Sequence, residues 1–148
     1  MTDPAPDPTP NSVFVPGTAS PADDLTQAWW DAATERRLTV ETCAACGNRQ
    51  HPPRGVCTAC SSTEHLGQAD VAGTGTIDSF TVVHRAPRAD LEVPYVLARV
   101  RLGEGPVLLT RLVGGLEWRI GQPVTVAWAD LPDGRALPYF TRIPDSQT

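Results

Sequence analysis

Four cysteines, the only ones in 148 residues, stand as Cys43-x-x-Cys46 and Cys57-x-x-Cys60, with ten residues between the pairs. A Cys-x-x-Cys turn aims two sulfurs at one point. Two such turns facing each other supply four soft ligands in a tetrahedron, the arrangement Zn2+ takes in structural sites. Four thiolates leave no open position for water or substrate, so a metal held here is expected to hold the fold rather than do chemistry. Gly47, just after the first pair, permits the positive φ that such knuckles need. His51 lies between the pairs, but the four cysteines already complete a closed site, and His51 reads as an ordinary loop residue.

The other candidates for chemistry are cations. A Zn(Cys)4 centre carries two negative charges, and Arg49 and Arg54 lie inside the cysteine stretch. They suit either of two roles, offsetting that charge or meeting a phosphate, and the residues alone leave both open. Neither a Walker-type nor a Rossmann-type phosphate loop occurs. Gly73-Thr74-Gly75 is too short and precedes a strand pattern, so it reads as a turn. His51, His65 and His84 sit in no nucleophile–base pattern. No catalytic residue is assigned.

The elements that must position the cysteines follow from pattern. Residues 1–20 carry five prolines among Asp, Thr, Ser, Asn and Gly and read as a disordered tail, with Val13-Phe14-Val15 its one apolar patch. A helix is expected over 21–37. Ser20 caps it, Pro21 takes its first position, and Leu25, Trp29 and Ala32 form an apolar stripe. Two adjacent tryptophans are more apolar surface than such a short helix can leave wet. Trp29 and Trp30 are therefore candidates both for packing within the chain and for a partner interface. A zinc ribbon is expected over 38–65, built on a strand at Leu38–Thr42 and its return at Asn48–His51.

Strand patterns fill the rest, at 66–71, 76–85, 95–102, 106–113, around Val124-Val126-Trp128, and 136–140. The alternation of the second breaks near Asp78-Ser79, which predicts a bulge. Asp133-Gly134 is a hairpin turn. The expected fold is mainly β: an N-terminal helix, a rubredoxin-like zinc ribbon and, over 66–143, a five-stranded barrel of the OB type. Periodicity alone also allows an SH3-like barrel or a small sandwich.

Composition bounds the function classes. The formal net charge is −5, which disfavours a general nucleic-acid binder, since phosphate contacts need a basic face. A single-stranded nucleic-acid binder stays as the alternative, because OB folds and zinc ribbons both serve that role. An iron carrier of the rubredoxin kind is disfavoured by the cysteine spacing and the appended strands. No apolar run approaches the ~18 residues of a membrane span, and no basic and apolar leader follows Met1. The expected location is the cytoplasm, where reduced thiols favour metal over disulfides.

The order of these features resembles a known family. A Trp-bearing helix runs into Arg36-Arg37-Leu38-Thr39-Val40-Glu41-Thr42-Cys43, and Pro52-Pro53-Arg54 lies between the knuckles. Gly73-Thr74-Gly75-Thr76-Ile77, Pro94-Tyr95, Ile120-Gly121-Gln122-Pro123-Val124 and Pro138-Tyr139-Phe140 follow. Residues 25–142 are thereby similar to the small proteins with a rubredoxin-like zinc ribbon and a C-terminal OB fold that accompany thiolases. The resemblance implies a non-catalytic accessory subunit of a thiolase-fold enzyme, forming a hetero-oligomer with it. Partner reactions in the family include thiolysis coupled to hydroxymethylglutaryl-CoA synthesis, retro-aldol cleavage in steroid side-chain degradation, and acyl transfer to phenolic polyketides. It implies that ribbon and helix dock on the partner and that the barrel helps enclose an acyl-CoA, the shared substrate. Candidate acyl-CoA contacts are Arg49, Arg54, Arg85, Arg99 and Arg101, with Arg88 and Arg111 also eligible by composition.

Overall fold

A computed structural model describes residues 19–89 and 91–144. Among them are one helix, α1 (Gln27–Thr34), and eight strands: β1 (Thr39–Cys43), β2 (Arg49–Gln50), β3 (Leu66–Asp70), β4 (Thr74–Val83), β5 (Tyr95–Leu102), β6 (Val107–Leu112), β7 (Pro123–Asp130) and β8 (Ala136–Arg142). The patch Val13-Phe14-Val15 lies outside the described residues.

α1 is shorter than the helix expected over 21–37, for reasons at both ends. At the start, Asp23 rather than Ser20 organises the chain. Its carboxylate accepts from the Leu25 and Thr26 amides at 3.0 and 2.9 Å, while Thr26 Oγ1 accepts from the Asp23 amide at 3.0 Å. This reciprocal turn occupies the expected first helical turn. At the other end Arg36 takes a left-handed φ of 59°. Its amide then reaches Ala33 O and the Arg37 amide reaches Ala32 O, both at 2.9 Å. That is a Schellman stop with arginine where glycine is usual. Trp29, Ala32 and Ala33 form the buried face, and Leu25 is half exposed.

β1 is the centre of a three-stranded antiparallel sheet of order β2-β1-β3. The sequence reading begins the barrel domain at residue 66. However, β3 pairs with β1 over its full length, from Cys43 opposite Leu66 to Thr39 opposite Asp70, so this strand completes the ribbon sheet. The barrel starts at β4.

β4 to β8 close a barrel of order β4-β5-β6-β8-β7. Five strands with the last two exchanged is the OB arrangement expected above. The predicted bulge is present as a register shift between Ile77 and Ser79 in the β4–β5 ladder. Closure depends on β4 serving two neighbours. Gly75 pairs with Leu102 on one side and Val124 on the other, and a Cβ there would collide with the Arg101 carbonyl. The remaining seam, β6 to β8, has one backbone pair, Leu112 opposite Phe140. Thr110, 8% exposed, reinforces it by donating to the Pro138 carbonyl at 2.6 Å.

One apolar core serves both parts. Leu38 and Val40 from the ribbon sheet pack in a single cluster with Ile77, Val96, Val100, Leu108, Trp118, Val124 and Phe140. One ion pair from the residues after α1 adds to the connection, Arg36 with Asp130 of β7 at 2.5 Å, while Arg37 meets Asp70 of β3 at 2.7 Å within the ribbon part. Both pairs are exposed and screened by water, so they hold their elements together only weakly. The shared apolar cluster is the stronger bond.

Candidate metal centre and helix face

The two cysteine knuckles have the same backbone. In the first, the Cys43 amide donates to Asn48 O at 2.9 Å and the Gly47 amide to Cys43 O at 2.7 Å. In the second, the Cys57 amide donates to Ser62 O at 2.8 Å and the Ser61 amide to Cys57 O at 2.9 Å. The fourth residue after each leading cysteine takes positive φ, Gly47 at 78° and Ser61 at 65°. Glycine made the first legible in sequence, and serine hid the second.

The four sulfurs lie within 4.8 Å of one another. Cys43 Sγ is 3.7 Å from Cys60 Sγ, and Cys46 Sγ is 3.6 Å from Cys57 Sγ. Zn–S bonds of about 2.3 Å in a tetrahedron require S···S edges of about 3.8 Å; two edges match this and none exceeds 4.8 Å, so the donor set suits zinc. Cys43 and Cys57 are buried, and Cys46 and Cys60 face outward. The sulfurs also perturb each other's protons. Backbone amides of Cys60 and Ala59 pull Cys57 down to about 6. At Cys46 the Asn48 amide favours the thiolate, but the bonds shared with the other three sulfurs, together with burial, outweigh it and push the thiol up to about 12. Four thiolates so close need a cation among them, and a dication supplies it. Bound zinc would act there as a structural centre.

Behind the sulfurs is a polar cluster that the sequence did not reveal. Glu41 and Gln50, 5% and 7% exposed, face each other across the β1–β2 pair. Gln50 Nε2 donates to Glu41 Oε1 at 2.6 Å.

The helix packs next to this module. Trp29 is buried, with its ring 5.8 Å from His51 and edge-on to Trp30 at 4.9 Å. Trp30 is half-buried under the Arg135 guanidinium, 4.3 Å from the ring centre, and Arg135 also donates to the Ala19 and Ser20 carbonyls. The apolar residues still exposed near here are Leu25 and Val56, 50% and 40% exposed.

His51 packs against Trp29, its Nδ1 lacks a partner, and burial pulls its pKa down from 6.5 to about 4. The folded protein therefore holds it neutral while the unfolded chain binds a proton below pH 6.5. Its stabilising effect is complete above that pH and fades as pH falls towards 4. Between pH 6.5 and 5, the zinc-loaded protein is expected to lose about 1–2 kcal/mol more than zinc-loaded His51→Phe. Chemical denaturation at each pH, with metal content checked, measures this. Superimposable profiles would contradict it.

The candidate arginines are not brought together. Arg49 and Arg54 are exposed on the ribbon, and Arg85 is exposed just beyond β4. None of the three makes an ion pair with a described residue. Arg99 and Arg101 project from the outer face of β5 and flank Asp78 at 3.8 and 3.5 Å. Val83 pairs with Tyr95 and Thr76 with Arg101, so Arg85 and Arg101 lie towards opposite ends of the same hairpin. Arg111 stacks on Tyr95 at 4.2 Å. A further site was not legible in sequence: a cleft of about 650 Å³ at the β6–β7 loop, lined by Phe80, Leu116, Trp118, Arg119 and Arg142. Arg142 stacks on Trp118 at 4.1 Å and is held by the Gly114 and Glu117 carbonyls. Among the described residues, no helix is long and apolar enough to cross a membrane.

Fold and site together define a closed four-thiolate ribbon sharing its core with an OB barrel. Family models agree, with a ChsH2 rubredoxin-like zinc ribbon domain over residues 30–65 and a ChsH2 C-terminal OB-fold domain over 68–129. A solved structure described as the Ltp2-ChsH2(DUF35) aldolase contains a chain 36% identical to this one. The match has a TM-score of 0.77 and covers 84% of this chain and 98% of that one. The chain belongs to this ChsH2, or DUF35, family. Among curated proteins it is 40% identical over 114 residues to a probable enoyl-CoA hydratase alpha subunit of Thermomonospora curvata. It is 35% identical over 111 residues to the 3-oxo-4,17-pregnadiene-20-carboxyl-CoA hydratase alpha subunit of Mycobacterium tuberculosis. These matches cover 76% and 73% of this chain but 35% of each relative, so the chain spans about a third of the length of these two relatives.

Proposed function

We propose that this chain is a non-catalytic accessory subunit of a thiolase-fold enzyme that makes or breaks carbon–carbon bonds on acyl-CoA substrates. The observation that carries this reading is the match to nearly the whole length of the ChsH2 chain in an aldolase described by two names, Ltp2 and ChsH2. The two hydratase subunits support the substrate class, since both names specify acyl-CoA chemistry and one specifies a steroid acyl group. The chain's own chemistry is consistent with it. Its cysteines form one closed set, its one partly buried histidine packs against Trp29, and its outward arginines suit binding better than proton transfer.

In this reading the partner supplies the nucleophile and the acid–base groups. The ribbon and α1 supply a rigid docking face that includes Leu25 and Val56. Arg49, Arg54, Arg85, Arg99 and Arg101 remain candidates for the CoA phosphates, and the cleft beside Trp118 offers an apolar wall for the acyl-pantetheine arm. Co-expression with a thiolase-like aldolase tests the assembly. The two chains are expected to co-elute as a hetero-oligomer. Separate elution at micromolar concentration of both would overturn the reading.

A further inference from the structure

We infer that Glu41 and Gln50 are positioning residues for the metal centre, setting where the second knuckle lies and thereby how tightly zinc is held. The inference rests on the thiolate geometry and not on the partner reading. The two knuckles reach the metal from different supports. Cys43 ends β1 and is fixed by the sheet, whereas Cys57 follows a six-residue loop, 51–56, with no strand pairing of its own. Something else must hold that loop, and one glutamine holds it at several points.

Gln50 uses its whole amide. Nε2 donates to Glu41 Oε1 at 2.6 Å and to the Val56 carbonyl at 2.9 Å. Oε1 accepts from the Thr58 amide at 2.9 Å, from Thr58 Oγ1 at 3.0 Å and from Asn48 Nδ2 at 3.1 Å. The backbone on both sides of Cys57 is therefore tied to one side chain on β2. Glu41 fixes that side chain in turn, and the same carboxylate oxygen accepts from the Arg54 amide at 2.8 Å, so it also holds the middle of the loop. The far end of the relay meets a ligand directly, with Asn48 Nδ2 3.7 Å from Cys57 Sγ.

A buried carboxylate that accepts two hydrogen bonds is an acceptor first and a charge second. Removing an acceptor orphans buried donors, whereas exchanging carboxylate for amide keeps an oxygen in place. Outer hydrogen-bond partners of metal sites typically change affinity 10–100-fold when lost. The loop is also the surface that meets the helix, through His51 against Trp29 and Gly55 beneath Leu25. Metal occupancy and helix packing are thus joined through the same six residues.

The test is zinc release from the full chain to a chelating dye, with Co2+ absorption as a readout of the site itself. Glu41→Leu is expected to release zinc about 10–100-fold faster than wild type and to shift the thiolate-to-cobalt and d–d bands. Glu41→Gln is expected to stay within about threefold, with wild-type bands. If Glu41→Leu does not fold, the exposed Thr58→Val carries the test. It deletes one arm of the relay and is expected to speed release about 3–10-fold. Wild-type release from Glu41→Leu and Thr58→Val, or equal damage from Glu41→Leu and Glu41→Gln, would overturn the assignment.

Discussion

Replacing Cys43 by Ser is expected to abolish stoichiometric zinc binding, to less than about one tenth of an ion per chain, and to unfold more than the ribbon. Structural zinc contributes about 10–16 kcal/mol of apparent binding free energy in small zinc modules, and where no site pre-exists that energy is folding energy. A whole domain is stable by only about 5–15 kcal/mol. Cys43 is the buried inner ligand at the end of β1, so its loss removes a tetrahedral vertex from the sheet side. The effect should then spread, because Leu38 and Val40 of the ribbon sheet belong to the same apolar cluster as Phe140 and Val124 of the barrel. Trp29 should gain solvent exposure as loop 51–56 loosens from α1. Metal analysis, tryptophan emission and thermal melting measure the three effects. A mutant with full zinc and an unchanged melting temperature would contradict the closed-site assignment.

The second large effect is expected at Phe140. Its side chain is fully buried, its backbone pairs with both Leu112 and Val126, and its carbonyl accepts from the Val113 amide at 2.9 Å. It fills the barrel core at the seam with the least backbone pairing, so truncation removes the apolar contacts on which β6 and β8 chiefly rely. Phe140→Ala should cost about 3–5 kcal/mol, a shift of about 2 M in the urea midpoint at a slope of about 2 kcal/mol/M. Zinc release followed in the same titration should coincide with loss of β signal, because ribbon and barrel share one core. A cost below about 1 kcal/mol would contradict the packing. Two well-separated transitions would show two independent cores.

How much was legible in the sequence depended on how local the cause was. The cysteine spacing is local, and so are the alternation of Tyr95–Leu102 and the Asp133-Gly134 turn. All three read through to the structure, as did the bulge at Ile77/Ser79. The helix stop was not legible, because Arg36 adopts the conformation that glycine would have announced. β3 has a readable strand pattern, but its partner is β1 across the whole cysteine stretch, a choice that periodicity does not encode. Glu41 has nothing adjacent in the sequence that marks it as a partner of the metal loop. Its meaning lies in Gln50 and the Arg54 amide, which only the folded loop brings to it. The arginines were chosen as cations, and composition does not tell Arg101, occupied with Asp78, from Arg54, exposed without an ion pair. Arg135 and Arg142 cover Trp30 and Trp118, and a stacked guanidinium has no sequence signature.

The most direct test of the accessory-subunit account is reconstitution. Purified zinc-loaded chain is titrated into a purified thiolase-like partner while acyl-CoA cleavage is followed. The account predicts that turnover rises from near background and saturates at a stoichiometric ratio, and that Cys43→Ser chain at the same concentration fails to raise it. A partner fully active without the chain, with a rate that no amount of it changes, would contradict the account.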